Sequence, residues 1–145
     1  MFELGRDGAS ADLKGQIKNV VFAAESILGV RPHPDCAGPL DSAVPDSVRP
    51  HLVAVIVEAL SNVGRHAEAQ HVDVEVSIEG TGDDARVVFE VRDDDKGFTA
   101  TQGGSGLANM RDRARDLGGA CDIRSAEGER TVARWTVPLR SREKP

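Results

Sequence analysis

Hydrophobic residues recur along this chain with two different periods. Apolar positions separated by three or four residues predict helices, and strict alternation of apolar and polar positions predicts strands. Between Leu52 and Val63 the apolar residues follow the helical spacing, whereas Val72, Val74, Val76 and Ile78 alternate with polar residues. The predicted elements are helices over residues 11–28, 47–67 and 105–117 and strands over residues 72–78, 86–92, 120–125 and 131–138.

The segments outside these elements have a different composition. Residues 29–46 contain four prolines, so we expect irregular chain that includes a short strand at most. Residues 1–9 are expected to be disordered or to have been added during cloning. The order of the elements predicts an α+β fold, namely a two-layer α/β sandwich with a mixed sheet and helices on one face.

The composition is typical of a single domain that does not enter a membrane. A length of 145 residues suits one hydrophobic core, and with no Tyr, one Trp and four Phe that core must consist mainly of Val, Ala, Leu and Ile. The net charge of −6 argues against general nucleic-acid binding, and no apolar run approaches the ~20 residues that span a bilayer. Cys36 and Cys121 lie in no ligand-type motif, so we expect ordinary thiols in a reducing, cytoplasmic compartment.

The helix predicted over residues 47–67 carries a group of polar residues on one flank. Glu58, Asn62, Arg65 and His66 lie at positions i, i+4, i+7 and i+8, beside the apolar stripe. A carboxamide oxygen one turn from a carboxylate suits a Mg²⁺ ion that takes its other ligands from water and phosphates. The alternative is a solvated helix face, which is the more frequent origin of such a flank.

Three aspartates directly follow the strand predicted over residues 86–92. Asp93, Asp94 and Asp95 precede Lys96 and Gly97. A carboxylate at the end of a strand is well placed to accept a hydrogen bond from a ligand amine. The alternative is a polar turn, in which Asp is common.

A glycine-rich segment opens the helix predicted over residues 105–117. Gly103, Gly104 and Gly106 precede the first apolar residue of that helix, Leu107. Backbone N–H groups at such a helix start form a binding site for phosphate. The signal is weak in isolation, because glycines also occur in simple turns.

Together, in this order and spacing, the three segments resemble the nucleotide-binding boxes of the gyrase, heat-shock chaperone, histidine kinase and mismatch-repair ATPase superfamily. Residues 58–67 resemble the N box, and residues 93–97 resemble the Asp-x-Gly-x-Gly box that reads adenine. Residues 104–107 resemble the glycine box that covers the phosphates.

Two further runs narrow the resemblance. Residues 106–119 and 136–139 are similar to the catalytic ATP-binding domain of two-component sensor histidine kinases of the nitrate/nitrite-sensor class. Residues 38–41 are similar to the corresponding segment of actinobacterial redox- and gas-sensing members. The resemblance covers roughly residues 38–140.

The resemblance implies a Bergerat-type fold that binds ATP and Mg²⁺, and it implies a role for each matched residue. Glu58 would orient or deprotonate a water or the attacking imidazole, since a carboxylate is a suitable general base in phosphoryl transfer, and Asn62 would ligate Mg²⁺. Asp93 would accept a hydrogen bond from the adenine amino group. Thr131 would lie near the adenine but is equally well explained as a strand residue, and His66 is also explained as a helix C-terminal cap. The residues implied to bind ATP are Asn62, Arg65, His66, Asp93, Gly97, Gly104, Ser105, Gly106, Leu107 and Thr131.

The resemblance also implies partners. A complete histidine kinase needs a dimerisation helix pair with a phosphoacceptor histidine, and none of the four histidines here lies in such a motif. We therefore expect residues 1–28 to be a tail and a helix leading from a missing dimerisation domain, and residues 29–145 to be the catalytic domain. The expected function is transfer of the ATP γ-phosphate to a histidine on that separate domain, with no autophosphorylation by this chain. A response regulator would act downstream, and the parent kinase would be a homodimer.

The sequence departs from the family pattern at three places, which predict nucleotide binding that is weaker than usual or regulated. Asp95 replaces the first glycine of the adenine box, Gly64 interrupts the N-box helix, and Glu129 with Arg130 replaces the small residues that normally precede Thr131. Two alternatives follow from the same residues. One is an anti-sigma-factor-type serine kinase, and the other is a degenerate nucleotide site that serves as a protein-interaction module.

Overall fold

A computed structural model describes residues 12–66, 70–94, 104–125 and 131–139. Residues 1–9, for which we expect disorder or a cloning remnant, lie outside this part of the chain. The helices are α1 (Leu13–Ala23), α2 (Glu25–Leu28), α3 (Leu40–Ala43), α4 (Arg49–His66) and α5 (Gly104–Asp116), with a short 3₁₀ helix over Gly82–Asp84. The strands are β1 (His33–Ala37), β2 (Val72–Glu79), β3 (Arg86–Asp93), β4 (Ala120–Ser125) and β5 (Thr131–Pro138).

The described strands form one mixed sheet in the order β1-β2-β3-β5-β4. β1 runs parallel to β2, and the other three pairs are antiparallel. Alternate residues of β2, β3 and β5 are buried under the helices, as the strict alternation of their sequences requires. The predicted α+β sandwich, with a mixed sheet and helices on one face, is confirmed.

The core between the helices and the sheet contains mostly Val, Leu, Ile and Ala, but two aromatic residues lie within it. Phe89 on β3 and Trp135 on β5 are both fully buried, and they are cross-strand partners. The indole Nε1–H of Trp135 donates a hydrogen bond to the carbonyl oxygen of Met110 on α5 (3.1 Å). This bond satisfies a buried polar group and joins α5 to the sheet.

The helix predicted over residues 11–28 is divided at Ala24, which lies in a turn between α1 and α2. α1 presents Leu13, Ile17 and Val21 to the core, and all three are fully buried. Gly29 ends α2 in a left-handed conformation (φ 78°), as its position in the sequence predicts.

The proline-rich segment over residues 29–46 is more regular than expected. It contains both β1 and α3, and Leu40 of α3 is fully buried. Pro34 is compatible with β1 because this strand lies at the edge of the described sheet and pairs on one side with β2.

The face of the sheet opposite the helices carries alternating ion pairs. Glu90 contacts both Arg92 (2.6 Å) and Arg134 (2.8 Å), and Arg134 also contacts Glu79 (3.3 Å). Val88 lies on this face yet is 3% exposed. The long arginine and glutamate side chains therefore keep the open side of the sheet polar while they cover its apolar part.

Across the described segments, none of the helices combines the length and apolarity required to cross a membrane.

Candidate functional site

A narrow cleft with a cavity volume of about 20 Å³, partly open to solvent, lies between α4, α5 and the sheet and is called the pocket below. Five elements contribute to its wall, since α4, β3, α5, β4 and β5 converge there. The lining residues are Ala59, Asn62, Val63, Val91, Asp93, Met110, Ile123, Thr131 and Ala133. Six of these nine are apolar, so the pocket is a largely apolar cleft with a few convergent polar groups, as is common for small-molecule sites.

Asn62 is the most informative residue of this pocket. Its spacing from Ala59 places it on the core-facing side of α4, and it is 3% exposed. Within the described part of the chain, neither its side-chain nitrogen nor its oxygen has a hydrogen-bond partner. An unsatisfied buried amide costs about 1–3 kcal/mol, so such a group points to a ligand that completes its hydrogen bonding or coordination.

Asp93 and Thr131 form the second polar group of the pocket. They are direct cross-strand partners at the ends of β3 and β5, so their side chains lie on the same face of the sheet. Asp93 is 5% exposed and Thr131 is 4% exposed. Val91 and Ala133 form the next cross-strand pair on that face and continue the wall with apolar surface.

The other predicted site residues of α4 are Glu58, Arg65 and His66. Glu58 is half-buried, one turn before Asn62, and is absent from the pocket lining. Arg65 and His66 belong to the last turn of α4, but their side chains are outside the described structure. Their predicted part in ATP binding therefore stays a prediction.

The glycine segment begins α5. Gly104, Ser105, Gly106 and Leu107 occupy its first turn, whose backbone N–H groups lack partners within the helix. Met110, which lines the pocket, lies less than two turns further along the same helix. The start of α5 is thus close to the pocket along the chain, although the side chains of these four residues are not described.

Part of the predicted adenine box lies outside the described residues, namely Asp95, Lys96 and Gly97. Glu129 and Arg130, which precede Thr131, also lie outside the described residues. The role implied for Gly97 and the weakening expected from Asp95 stay predictions.

Six pocket residues have no counterpart among the predicted site residues. They come from all five elements of the wall and are apolar, namely Ala59, Val63, Val91, Met110, Ile123 and Ala133. Their sequence signal was the ordinary apolar stripe of each element. Periodicity identifies such residues as inward-facing but does not separate those that face a pocket from those that fill the core.

The donor set is compatible with Mg²⁺ shared with a ligand. Within the described residues there is no cluster of three or more His, Cys, Asp or Glu side chains that could hold a metal. Asn62 supplies one carboxamide oxygen, and Mg²⁺ typically binds through one or two protein oxygens, waters and substrate phosphates. The orphaned amide of Asn62 therefore fits an ion that arrives with a nucleotide.

The two cysteines take no part in this pocket. Both are free and half-buried, and burial raises the pKa of both thiols, that of Cys121 to about 11. Because the thiolate is the reactive form, both thiols are poorly reactive at neutral pH. This agrees with the expectation of ordinary thiols.

Comparison with known proteins agrees with this geometry. A family model described as histidine kinase-, DNA gyrase B-, and HSP90-like ATPase matches residues 47–141. The sensor histidine kinase LiaS of Bacillus subtilis is 36% identical over 107 residues, which are 72% of this chain and 29% of LiaS. The sensor protein VraS of Staphylococcus aureus is 31% identical over 102 residues, which are 68% of this chain and 28% of VraS. The chain thus spans less than a third of the length of these relatives.

Solved structures show the same fold. The histidine kinase AdeS of Acinetobacter baumannii superposes with a TM-score of 0.65 at 18% identity, over 87% of this chain and 64% of that one. ShkA in complex with AMPPNP superposes with a TM-score of 0.67 at 19% identity, over 92% of this chain and 31% of that one.

These matches identify the family but leave the nitrate/nitrite-sensor subclass as a prediction. The family model covers most of the chain, and it includes Asn62, Asp93 and Thr131 of the pocket. The chain therefore belongs to the histidine kinase-, DNA gyrase B-, and HSP90-like ATPase family, as an ATP-binding catalytic domain of the sensor histidine kinase type.

Proposed function

We propose that this chain binds ATP with Mg²⁺ in the pocket between α4 and the sheet, and that it transfers the γ-phosphate to a histidine of a separate dimerisation domain. The observation that carries the proposal is Asn62, a buried amide that has no partner in the described structure and that lines this pocket. A core position on α4 gains nothing from such a group unless a ligand completes it.

Some pocket residues would contact the adenine base and others the phosphates. Asp93 accepts a hydrogen bond from the adenine amino group, and Thr131 is its partner on the adjacent strand β5. Val91 and Met110 belong to the apolar wall on which the flat base packs. The carboxamide oxygen of Asn62 would hold Mg²⁺, which would supply positive charge that neutralises the phosphates.

The phosphate end of the site depends on residues whose side chains are not described. Gly104 and Gly106 bring backbone N–H groups of the α5 start toward the phosphates. Arg65 and His66 supply positive charge from the end of α4, and Gly97 allows the chain to pass close to the base. Glu58, one turn from Asn62, acts as the general base.

The relatives support a proposal about the partners. LiaS is more than three times as long as the matched region, so most of that sensor histidine kinase lies outside the part similar to this chain. We infer that the parent of this chain is a homodimer that passes its phosphate to a response regulator in the cytoplasm, where ATP is available. The net charge of −6 argues against a nucleic-acid partner for this chain.

The first prediction tests the metal role of Asn62. Asn62→Ala should lose Mg²⁺-dependent binding of ATP by about tenfold or more, measured by titration of a fluorescent ATP analogue with and without Mg²⁺. Its free energy of unfolding should change little, because the substitution removes an amide that has no described partner.

Asn19→Ala is the matched control, because Asn19 is an exposed amide on α1. It should leave binding unchanged. Unchanged Mg²⁺-dependent binding in folded Asn62→Ala would refute the metal role. A wild-type chain that binds no nucleotide at all would instead favour the interaction-module alternative.

A further inference from the structure

Asp94, the first residue after β3, is bound to the chain segment that connects α4 to β2. Its Oδ1 accepts hydrogen bonds from the backbone N–H groups of Gln70 (2.8 Å) and His71 (3.1 Å). Its Oδ2 accepts one from the Nδ1 of His71 (3.0 Å). One carboxylate therefore holds both the backbone and the ring of the opposite segment.

The carboxylate of Asp94 is ionised at neutral pH, so these are hydrogen bonds to a charged group. The hydrogen bond from the His71 ring is the main cause that lowers the pKa of Asp94 to about 2, and the backbone N–H groups of His71 and Gln70 act in the same direction. Hydrogen bonds to ionised groups are shorter and stronger than those between neutral groups.

A large contribution to global stability is not expected from this cluster. The side chain of His71 is 73% exposed and that of Asp94 is 37% exposed. Exposed ion pairs are screened by water and contribute little to unfolding free energy. The effect of Asp94 must therefore be sought in local geometry.

Asp94 lies where the pairing of β2 with β3 ends, next to the pocket residue Asp93. The last pair of the β2–β3 ladder is Val72 with Asp93, so the contacts of Asp94 with Gln70 and His71 continue the pairing one step beyond the ladder. They fix the direction in which the chain leaves β3, directly beside the buried carboxylate of Asp93. They also anchor the segment that follows α4, the helix on which Asn62 lies.

We propose that Asp94 is a positioning residue for the nucleotide pocket, which holds Asp93 in the orientation that selects a base carrying an exocyclic amine. This inference rests on the proposed function. It assigns to Asp94 and His71 a part in base selectivity that is separate from contact with the nucleotide.

The test compares ATP with inosine triphosphate, which carries an oxygen in place of the adenine amine. Binding constants are measured for the wild type, Asp94→Ala, Asp94→Asn and His71→Ala, with unfolding followed on the same samples. The wild type should prefer ATP by about tenfold or more, the usual effect of one hydrogen bond to a charged group. Asp94→Ala should lose most of this preference through weaker ATP binding, with little change for inosine triphosphate.

The other variants separate the two arms of the cluster. Asp94→Asn keeps an acceptor oxygen for the two backbone N–H groups and should retain most of the preference. His71→Ala removes the ring bond alone and should lie between wild type and Asp94→Ala. Asp84→Ala, at the opposite end of the β2–β3 hairpin, is the charge-matched control and should behave as wild type.

Each outcome has a distinct meaning. If Asp94→Ala weakens both nucleotides equally, or changes only the unfolding midpoint, Asp94 has a structural role and the inference is wrong. If the wild type prefers ATP and Asp94→Ala keeps that preference, the inference fails while the proposed function stands. If the wild type binds neither nucleotide, the proposed function fails and this inference falls with it.

Discussion

Gly64 shows how a single residue can contradict its local preference for a reason that lies elsewhere in the fold. Glycine in a helix interior costs about 1 kcal/mol relative to alanine, and Gly64 interrupts α4 two residues after Asn62. A Cβ at this position would lie 2.4 Å from the Cγ2 of Ile27 and 3.2 Å from its carbonyl oxygen. α2 therefore packs directly on the backbone of α4, and the departure from the family pattern has a packing cause.

Gly64→Ala should consequently destabilise the domain, although helix propensity alone predicts the opposite. Overpacking of this kind typically costs about 1–3 kcal/mol, which exceeds the gain in propensity. The measurement is urea unfolding at neutral pH. Ser61→Ala, one turn earlier on the same helix, is the control and should be neutral or slightly stabilising.

A double variant identifies the contact. Ile27 is 55% exposed, so Ile27→Ala costs little when Gly64 is present. In the Gly64→Ala background the same change should recover part of the lost stability, since it removes the clashing methyl group. A Gly64→Ala variant more stable than wild type would show that α2 does not press on α4.

Among the elements, α1 belongs to the hydrophobic core, although it precedes the residues that the family model matches. Leu13, Ile17 and Val21 belong to the same hydrophobic core as the residues of α4 and the sheet. The helix start is held at two points, because Asp12 accepts a hydrogen bond from the N–H of Gly15 (3.0 Å) and Asp41 accepts one from the N–H of Leu13. The division into residues 1–28 and 29–145 stays a prediction, and this packing makes α1 part of the folded unit.

A chain that begins at residue 29 should therefore be much less stable than the full chain. Truncation of one buried Leu or Ile to Ala costs about 2–5 kcal/mol, and loss of α1 removes three fully buried apolar side chains from a domain whose total stability is about 5–15 kcal/mol. Thermal unfolding of the two chains makes the comparison.

Ile17→Ala tests the contribution of α1 to stability without truncation. Lys18→Ala is the control, because Lys18 is the exposed neighbour of Ile17. The first should lower the unfolding midpoint clearly, and the second should not. Equal stability of the chain from residue 29 and the full chain would show that residues 29–145 form an autonomous domain.

For the molecule as a whole, the expected activity requires a second component. We expect this chain to phosphorylate a histidine on a fragment that carries the dimerisation helices of its parent, mixed in solution. Glu58→Gln should slow the transfer by about 10²–10⁴-fold, the usual contribution of a general base, while ATP affinity changes far less. The measurement is transfer of labelled phosphate at saturating ATP, beside a binding titration.

Glu25→Gln provides the control, because Glu25 lies on α2, away from the pocket lining, and its side chain is 45% exposed. It should transfer at the wild-type rate. Equal losses of transfer and of ATP affinity in Glu58→Gln would assign Glu58 a binding or folding role, and transfer to serine in place of histidine would favour the anti-sigma-factor-type alternative.

Much of this fold could be predicted because its information is local. Val72, Val74 and Val76 alternate with polar residues, and a strand with one buried face has no other way to hide them. The pattern of apolar positions likewise predicts the strands over 120–125 and 131–138 and the helix that ends before Gly118. The resemblance placed Asn62, Asp93 and Thr131 in one site, and the structure brings these three together.

The rest depended on contacts between residues far apart in the chain. The pairing of Asp93 with Thr131 follows from the register of β3 on β5, and the clash that requires Gly64 comes from Ile27. The bonds of Asp94 to Gln70 and His71 likewise join two segments that share no sequence pattern. Periodicity reports which side of an element faces inward, because that side must avoid water. Periodicity does not predict which distant segment packs against that side, because the packing of the whole core determines that contact.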